Sequence, residues 1–473
     1  MIATRRRTEL APPLRDAEPR PFWLANPAHP APPPRPPVAG KVETDLLVVG
    51  GGLTGLWTAL HSLEQDPSAS VMLVESSRLG EGASGRNGGF LSPSLTHGIA
   101  NGLSRWPEEM DVLESLGRTN FAEIRSAVGR YRIDCAWAET GELEVATAVH
   151  QLPWLHEDAA DARRFGWDAQ VLDREQLHAE VSSPTYWGGL LRRDGLALVD
   201  PARLSWGLAD AIESVGGHVH EHTAVTKLIS AGARVRARTE RAEVLAKRVV
   251  LATSAFPPLL RRIRRCVIPV YDYVLVTEPL GAEQLGPIGW TSRQGISDLG
   301  NRFHYYRLTE DARLLWGGYD AIYHFGGATG PGRDQRPETH NLLLEQLIDT
   351  FPSLAGVAFT HRWGGAIDTC SRFCVTFGTA LSGRVAYAVG FTGLGVGASR
   401  FGAAVALDLV HRRETERTRL RMVRERPLPF PPEPARYLAV QATRAALARA
   451  DERQGRRGPW LRLLDRIGAG FDS

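Results

Sequence analysis

The sequence predicts an α/β protein, and three observations carry that expectation. A glycine-rich turn, Gly50-Gly51-Gly52-Leu53-Thr54-Gly55, lies between the apolar run DLLVVG and a helix-spaced series of Leu53, Leu56, Ala59, Leu60 and Leu63. A second apolar run, Val71 to Val74, follows and ends on Glu75, so that strand, helix and strand fit into about 30 residues. Far downstream, RVAYAVGFTGLGVGASRFGAAVALDLV gives strand, glycine-rich turn and helix once more.

The elements follow in order. Residues 1–40 end in PAHPAPPPRPPVAG and are rich in Pro, Arg and Ala. Such chain favours an extended polyproline-like form and builds no core, although Trp23 and Leu24 could dock on one. DLLVVG reads as a buried parallel strand. Asp66-Pro67 ends the helix that follows. Residues 106–131 have a helical period, and GELEVAT reads as a strand. Pro201 to Val215 reads as a helix, followed by strands in GGHVHEHTAVTKLI and RAEVLAKRVVLAT. Residues 267–325 are strand-rich, through VIPVYDYVLVTEPL, FHYYRLT and ARLLWGGY, and a helix is expected over about 338–350. Residues 412–426 hold seven Arg and three Glu, which predicts a solvated helix face. There are no internal repeats.

At ~100–200 residues per domain, 473 residues suggest two to four folding units. With 43% hydrophobic and 23% charged residues, a mainly disordered chain is excluded. A formal charge of +3 gives no reason to invoke nucleic acid or a membrane surface. Lysine is confined to Lys41, Lys227 and Lys247, so Schiff-base chemistry has few candidates. Cys135, Cys266, Cys370 and Cys374 form no disulfide framework, and the Cys370/Cys374 spacing lacks the further ligands a metal site needs, so no metal is expected. No span approaches the ~20 apolar residues that cross a bilayer. MIATRRRTEL has no apolar h-region, so a reducing, cytoplasmic setting is expected.

G-x-G-x-x-G after a strand and opening a helix is a dinucleotide site with a mechanical basis. Gly50 permits the tight turn, Gly52 lets a pyrophosphate approach the backbone, and Gly55 lets helix and strand pack closely. The pyrophosphate sits on the helix N-terminus. Glu75 is placed for the adenosine ribose. Ser84, Gly85, Arg86, Asn87, Gly88 and Gly89 then suit a loop lying along a long dinucleotide. The fingerprint alone does not separate NAD from FAD.

GGGLTGLWTALHSL, Glu75 and GEGASGRNGGF together resemble the D-amino-acid oxidase (DAO) superfamily of FAD-dependent oxidoreductases, and within it the gamma-glutamylputrescine oxidase-like branch. The resemblance extends over roughly 20–412. DGLALVDPARLSWGLADAIESVGGHVHEHTAVTKL resembles the family's central helix and strands, with the backbone at Val225 meeting the adenine. VVLATSAF, containing Ala252, resembles a strand that ends in A-T-N-A, with Ser254 in place of Asn. YYRLTEDARLLWGGYD and FPSLAG…HRWGGAID resemble substrate-domain strands. GFTGLGVGASRFGAAVALDLV resembles the C-terminal flavin-binding turn, with Gly390, Thr392, Gly393, Leu394, Gly395 and Val396 ahead of a helix from about 398 to 410.

The resemblance implies a GR2-type FAD-binding, Rossmann-like domain from 41–100, 196–260 and 361–412. An interleaved substrate domain from 101–195 and 261–360 would be built on a mixed, largely antiparallel sheet. The 1–40 segment and an Arg-rich 413–473 tail flank them. It also implies oxidation of a C–N bond: hydride passes from a neutral amine to the flavin, and the imine is hydrolysed. Pocket candidates are Tyr271, Tyr273, His304, Tyr305, Tyr306, Arg307 and Trp363, with Tyr273, Tyr306, Arg307 and Trp363 foremost. Trp363-Gly364-Gly365-Ala366-Ile367-Asp368 lacks the Arg that holds a substrate carboxylate in amino-acid-oxidising relatives, which favours an amine. Trp316 falls where sarcosine oxidases carry an oxygen-activating Lys, and a glycine of a W-G-G run falls near their flavin-linking Cys. FAD is therefore expected to be non-covalent. Oxygen, a quinone or an electron-transfer partner is the expected acceptor. The competing expectations are a flavin monooxygenase or NAD(P)-linked enzyme, for which no second fingerprint follows a strand, and a non-catalytic flavin-binding module.

Overall fold

The computed structural model describes residues 8–468. The basic MIATRRR run at the head of the Pro-rich segment and the last five residues of the Arg-rich tail lie outside the described residues.

Two large sheets organise the chain. In the first, the order is Thr376–Ala380, Val385–Val389, Ala242–Leu251, Gly40–Val49, Val71–Val74 and His218–His220, parallel throughout except for the first pair. Lys227–Ala231 and Arg234–Arg238 extend it as an antiparallel hairpin on Ala242–Leu251. Leu46–Val49 and Val71–Val74 are apolar and buried on both faces, as helix-covered parallel strands require. Helices Leu53–Gln65, Pro201–Ser214 and Gly395–His411 pack together on one face. The parallel sheet and its crossover helix are the α/β fold the sequence predicts.

The second sheet runs Phe359–Cys370, Val267–Pro279, Arg313–Ile322, His304–Leu308, Gly295–Asp298, Glu142–Ala146, Gly188–Arg192 and Ala169–Leu172. Only the Gly295–Asp298/Glu142–Ala146 pair is parallel, so the sheet is mixed and largely antiparallel, as expected. Phe359–Cys370 pairs along its length with Val267–Pro279. The expected boundary at 361 thus falls inside a strand of the second sheet.

The flanking segments are held by a few apolar anchors, Trp23 among them as the sequence allows. Leu14, Phe22 and Trp23 are buried. Glu18 donates its backbone N–H to Thr360 O and accepts from Arg362 N, adding the N-terminal segment to the sheet edge. The 412–426 run is solvated along its Arg residues, as expected, but it is not one helix. It forms two short helices, Glu416–Arg419 and Arg421–Arg424, with Leu420, Met422 and Val423 buried beneath them. Arg372 holds them by donating to the carbonyls of Met422 and Glu425 at 3.0 and 2.9 Å.

Candidate active site

One continuous cavity of about 920 Å³ lies between the two sheets. Its lining falls into three regions, each built by different elements.

The first region is the glycine-rich turn. Gly50 has φ +115°, a conformation open to glycine, and a Cβ there would overlap the Ala252 carbonyl. A Cβ at Gly55 would overlap the Gly50 carbonyl oxygen. A Cβ at Gly52 would stand 2.8 Å from Ser84 Oγ, which accepts from Leu53 N at 2.9 Å. Gly52 has no side chain with which to cap helix Leu53–Gln65, and although Ser84 Oγ takes the Leu53 N–H, the end of the helix faces the cavity. The Glu75 carboxylate accepts from Gly51 N at 2.6 Å, Ser76 Oγ at 2.8 Å and Ser77 N at 2.9 Å. Val225, Ala252 and Ser254 complete this end. The bare backbone and the open helix end fit a dinucleotide pyrophosphate.

The second region joins the sheets. Arg86 donates to Glu81 O at 2.8 Å, Asp334 Oδ2 at 2.8 Å and Gly364 O at 3.0 Å, tying the 84–89 loop to the second sheet. Asn87 and Gly88 line the same wall. Opposite, Gly393, Leu394, Gly395 and Val396 present the N-terminus of helix Gly395–His411, which has no side-chain cap and no acidic residue in its first turn. That end favours negative charge in the cavity. Asp368 fixes the turn by accepting from Gly390 N at 2.7 Å, and Thr392 Oγ1 accepts from Cys370 N. Burial pushes the Asp368 carboxyl up to about 6. Tyr271, Asp272, Tyr305 and Gly365–Asp368 close this region.

The third region is an acidic arm. Glu142, Glu144, Asp158, Asp161 and Asp298 line it with Arg192. Arg192 donates to Glu142 at 2.9 Å and Glu144 at 2.5 Å. Burial, then the neighbouring Glu144, pushes Asp158 up to about 7. Arg192 offsets part of the Glu142 and Glu144 charge, His304 pairs with Asp298 at 2.7 Å and Asp158 is raised toward neutrality, so the arm keeps a modest negative potential.

The residues expected at the flavin fall into two groups. Gly50, Gly52, Glu75, Ser84, Arg86, Asn87, Gly88, Val225, Ala252, Thr392, Gly393, Leu394, Gly395 and Val396 line the cavity. Gly55, Gly85, Gly89 and Gly390 instead lie behind its wall, where a Cβ would strike Gly50 O, Gly80 O, Val199 O and Cys370 respectively.

The four foremost substrate candidates do not line the cavity. Tyr273 is fully buried and donates to Arg333 O at 2.8 Å. The Tyr306 hydroxyl pairs with that of Tyr186 at 2.5 Å inside the second core. Arg307 donates to Val199 O at 2.8 Å and lies over Trp23. Trp363 donates its indole N–H to Arg86 O at 2.9 Å. For Tyr273 and Tyr306 the reason is strand alternation: successive side chains point to opposite faces, so their neighbours Asp272 and Tyr305 reach the cavity. Arg307 and Trp363 share the faces of Tyr305 and Gly365 but sit two residues away along their strands, held by Val199 O and Arg86 O. Trp316, at the position compared with an oxygen-activating Lys, stacks on Tyr306 with centroids 4.4 Å apart and is buried in the second core. The missed Asp272 had a signal: a lone carboxylate in the middle of the apolar run VIPVYDYVLV. The acidic arm had none, because its members come from four separated segments.

All four cysteines are free, and among the described residues no group of three or more His, Cys, Asp or Glu could hold a metal ion. No helix among the described residues is long and apolar enough to cross a membrane. Among the described cavity-lining residues there is no cysteine to link a flavin.

Residues 45–409 match the family model described as DAO, FAD dependent oxidoreductase. The chain is 35% identical over 381 residues to the gamma-glutamylputrescine oxidoreductase of Escherichia coli (strain K12), covering 78% of this chain and 84% of that protein. It is 23% identical over 355 residues to the sarcosine oxidase subunit beta of an Arthrobacter species, covering 70% and 77%. Among solved structures, glycine oxidase from Geobacillus kaustophilus superposes with a TM-score of 0.66 at 20% identity, covering 79% of this chain and 96% of that one.

Proposed function

The chain belongs to the DAO family of FAD-dependent oxidoreductases, and from that premise we propose that its substrate is an amine carrying a second polar, cation-bearing portion. The observation that carries this reading is the acidic arm, continuous with the region where the second sheet meets the flavin-binding turn. An amine entering with its reactive carbon near Asp272 and Gly365 would extend its remaining charge among Glu142, Glu144 and Asp158. An α-carboxylate would meet unfavourable potential there. The relative named for gamma-glutamylputrescine supports the coarser part of this reading, an amine with a second polar portion.

In this proposal FAD is held by Gly50, Gly52, Glu75, the 84–89 loop, Val225, Ala252 and 390–396. These positions fall in the 41–100, 196–260 and 361–412 segments. Bound FAD supplies the two-electron acceptor that oxidises the C–N bond. The protein orients the amine between the two sheets. The N-terminus of helix Gly395–His411 stabilises negative charge at the cavity wall, and the cavity shields the reacting carbon from bulk water. The resulting imine is hydrolysed to a carbonyl compound and an amine or ammonia. Oxygen, a quinone or an electron-transfer partner then takes the electrons.

The test is purification followed by anaerobic titration. The yellow protein is mixed with putrescine, N-acylputrescines, spermidine, sarcosine, glycine and D-alanine. Flavin bleaching by diamine derivatives ahead of the amino acids is expected. Bleaching by NADPH alone, or by amino acids alone, would overturn the reading.

A further inference from the structure

Asp272 is the carboxylate at the junction of the two sheets that no flavin-binding role uses. It lies in the middle of strand Val267–Pro279, opposite Gly365 of Phe359–Cys370. On its other side the register with Arg313–Ile322 jumps between Tyr271 and Tyr273, so the ladder opens beside it. Alternation places Asp272 on the face of Val274 and Val276, which pack toward the first sheet's core. It is 7% exposed, yet it lines the cavity.

Its one described side-chain bond comes from Tyr305, whose hydroxyl donates to Oδ2 at 2.5 Å. Space is made for that ring: a Cβ at Gly317 or at Gly88 would overlap or press on it. Phe90 and Phe303 flank the ring at 6.0 and 6.4 Å. The other oxygen, Oδ1, would be 3.7 Å from a Cβ at Gly365, so the glycine leaves the carboxylate accessible from the cavity. Among the described residues no cation is bonded to it. Arg86, across Gly365, spends its guanidinium on Glu81, Asp334 and Gly364. A carboxylate buried without a counter-ion is costly, and a substrate ammonium would relieve that cost.

We propose that Asp272, oriented by Tyr305, binds the ammonium of the substrate and takes its proton, leaving the neutral amine that is oxidised. This rests on the amine-oxidising reading above. The N–H bond of R–CH2–NH3+ breaks, its electron pair stays on nitrogen, and the proton goes to Asp272 Oδ1. No electrons are exchanged in this step. Tyr305 keeps its own proton, because burial and the adjacent Asp272 raise its pKa well above the ordinary phenol value. Burial likewise raises the Asp272 carboxyl to about 6, while the Tyr305 bond pulls it down. The base is therefore available at neutral pH and strong enough to be useful. The titratable and charged groups around it are Tyr305 on His304–Leu308, Arg86 with Asp334 on the loops, Asp368 on Phe359–Cys370, and Tyr271 and Tyr273 on its own strand.

The experiment is anaerobic stopped-flow reduction of the holoenzyme's flavin by the best amine from the panel, from pH 5 to 10, for wild type, Asp272→Asn and Tyr305→Phe. Wild type should show an acid limb near pH 6. Asp272→Asn should lose that limb and reduce roughly 100-fold more slowly at pH 7, with recovery only as pH approaches the free amine's own pKa. Its FAD content and visible spectrum should match wild type. Tyr305→Phe removes a donor from the carboxylate and should move the limb upward. An Asp272→Asn profile with the wild-type limb overturns the proposal. If that variant fails to retain FAD, Tyr305→Phe decides, and an unmoved limb overturns it. If no amine bleaches the wild-type flavin, it is the functional reading that fails, which is a distinct outcome.

Discussion

The carbonyl oxygen of Gly50 occupies the place that a Cβ on Gly55 would need. The first and last glycines of the fingerprint are thus packed against each other, and strand and helix meet there with no room for a methyl group. Gly55→Ala should push the turn toward the cofactor. Overpacking of this kind costs about 1–3 kcal/mol, so FAD affinity should fall roughly ten- to a hundredfold. The ratio of flavin to protein absorbance after gel filtration, and titration of the apoprotein with FAD, check this.

Tyr306 and Trp363 hold the fold and do not touch the substrate cavity. Tyr306→Phe leaves the buried Tyr186 hydroxyl without its 2.5 Å partner. Trp363→Phe removes the 2.9 Å bond to Arg86 O. Each should cost about 1–2 kcal/mol in denaturant unfolding. The rate of flavin reduction should stay within about twofold of wild type, in contrast to Asp272→Asn.

Asp368 makes stability depend on pH in a defined direction. Its folded pKa is raised from 3.8 to about 6 by burial, so the folded state holds the proton over a window where the unfolded state has released it. The contribution is complete below about pH 4 and is lost as pH rises through 6. Asp368→Asn has no such loss. The stability of the variant relative to wild type should therefore improve between pH 4 and 7, by up to about 3 kcal/mol. Urea unfolding of the apoprotein at both pH values measures it.

Glu144 faces Arg192 in the acidic arm. Glu144→Gln should raise KM for a diamine-type substrate about fivefold with kcat little changed, since the lost attraction acts on ground and transition states alike. A simple monoamine of the same chain length should show a smaller change. Equal effects on both would remove the arm from substrate recognition.

Trp23 connects the N-terminal segment to the cofactor loop. It is buried and donates its indole N–H to Asn87 O at 2.9 Å. Trp23→Ala should destabilise the protein by about 3–5 kcal/mol and weaken FAD retention. Thermal unfolding followed by flavin fluorescence reads both.

The dinucleotide end of the site was legible in the sequence because it is local. Gly50 to Gly55, the strand before them and Glu75 are fixed in relation by one βαβ unit, and close approach between backbones admits glycine alone. The helix end at 395 was legible for the same reason. The substrate end was legible only in part: the candidates Tyr271 and Tyr305 line the cavity, while the four foremost do not. The aromatic-rich strands Val267–Pro279 and His304–Leu308 were recognised, but which of two adjacent residues faces the flavin depends on which side of the sheet the other domain covers. That is decided by tertiary packing, and it exchanges Tyr273 for Asp272 and Tyr306 for Tyr305. The acidic arm gathers Glu142, Asp158, Arg192 and Asp298 from separate elements. In the flanking segments the docking of Trp23 was legible, whereas the buried Leu420, Met422 and Val423 in the Arg-rich run were not, because composition hides a few apolar anchors among exposed Arg. The sequence by itself determined a dinucleotide site through short-range backbone sterics, and pointed to FAD through family resemblance. Only the tertiary structure decided which charges meet the substrate, because that depends on contacts between residues far apart in the chain.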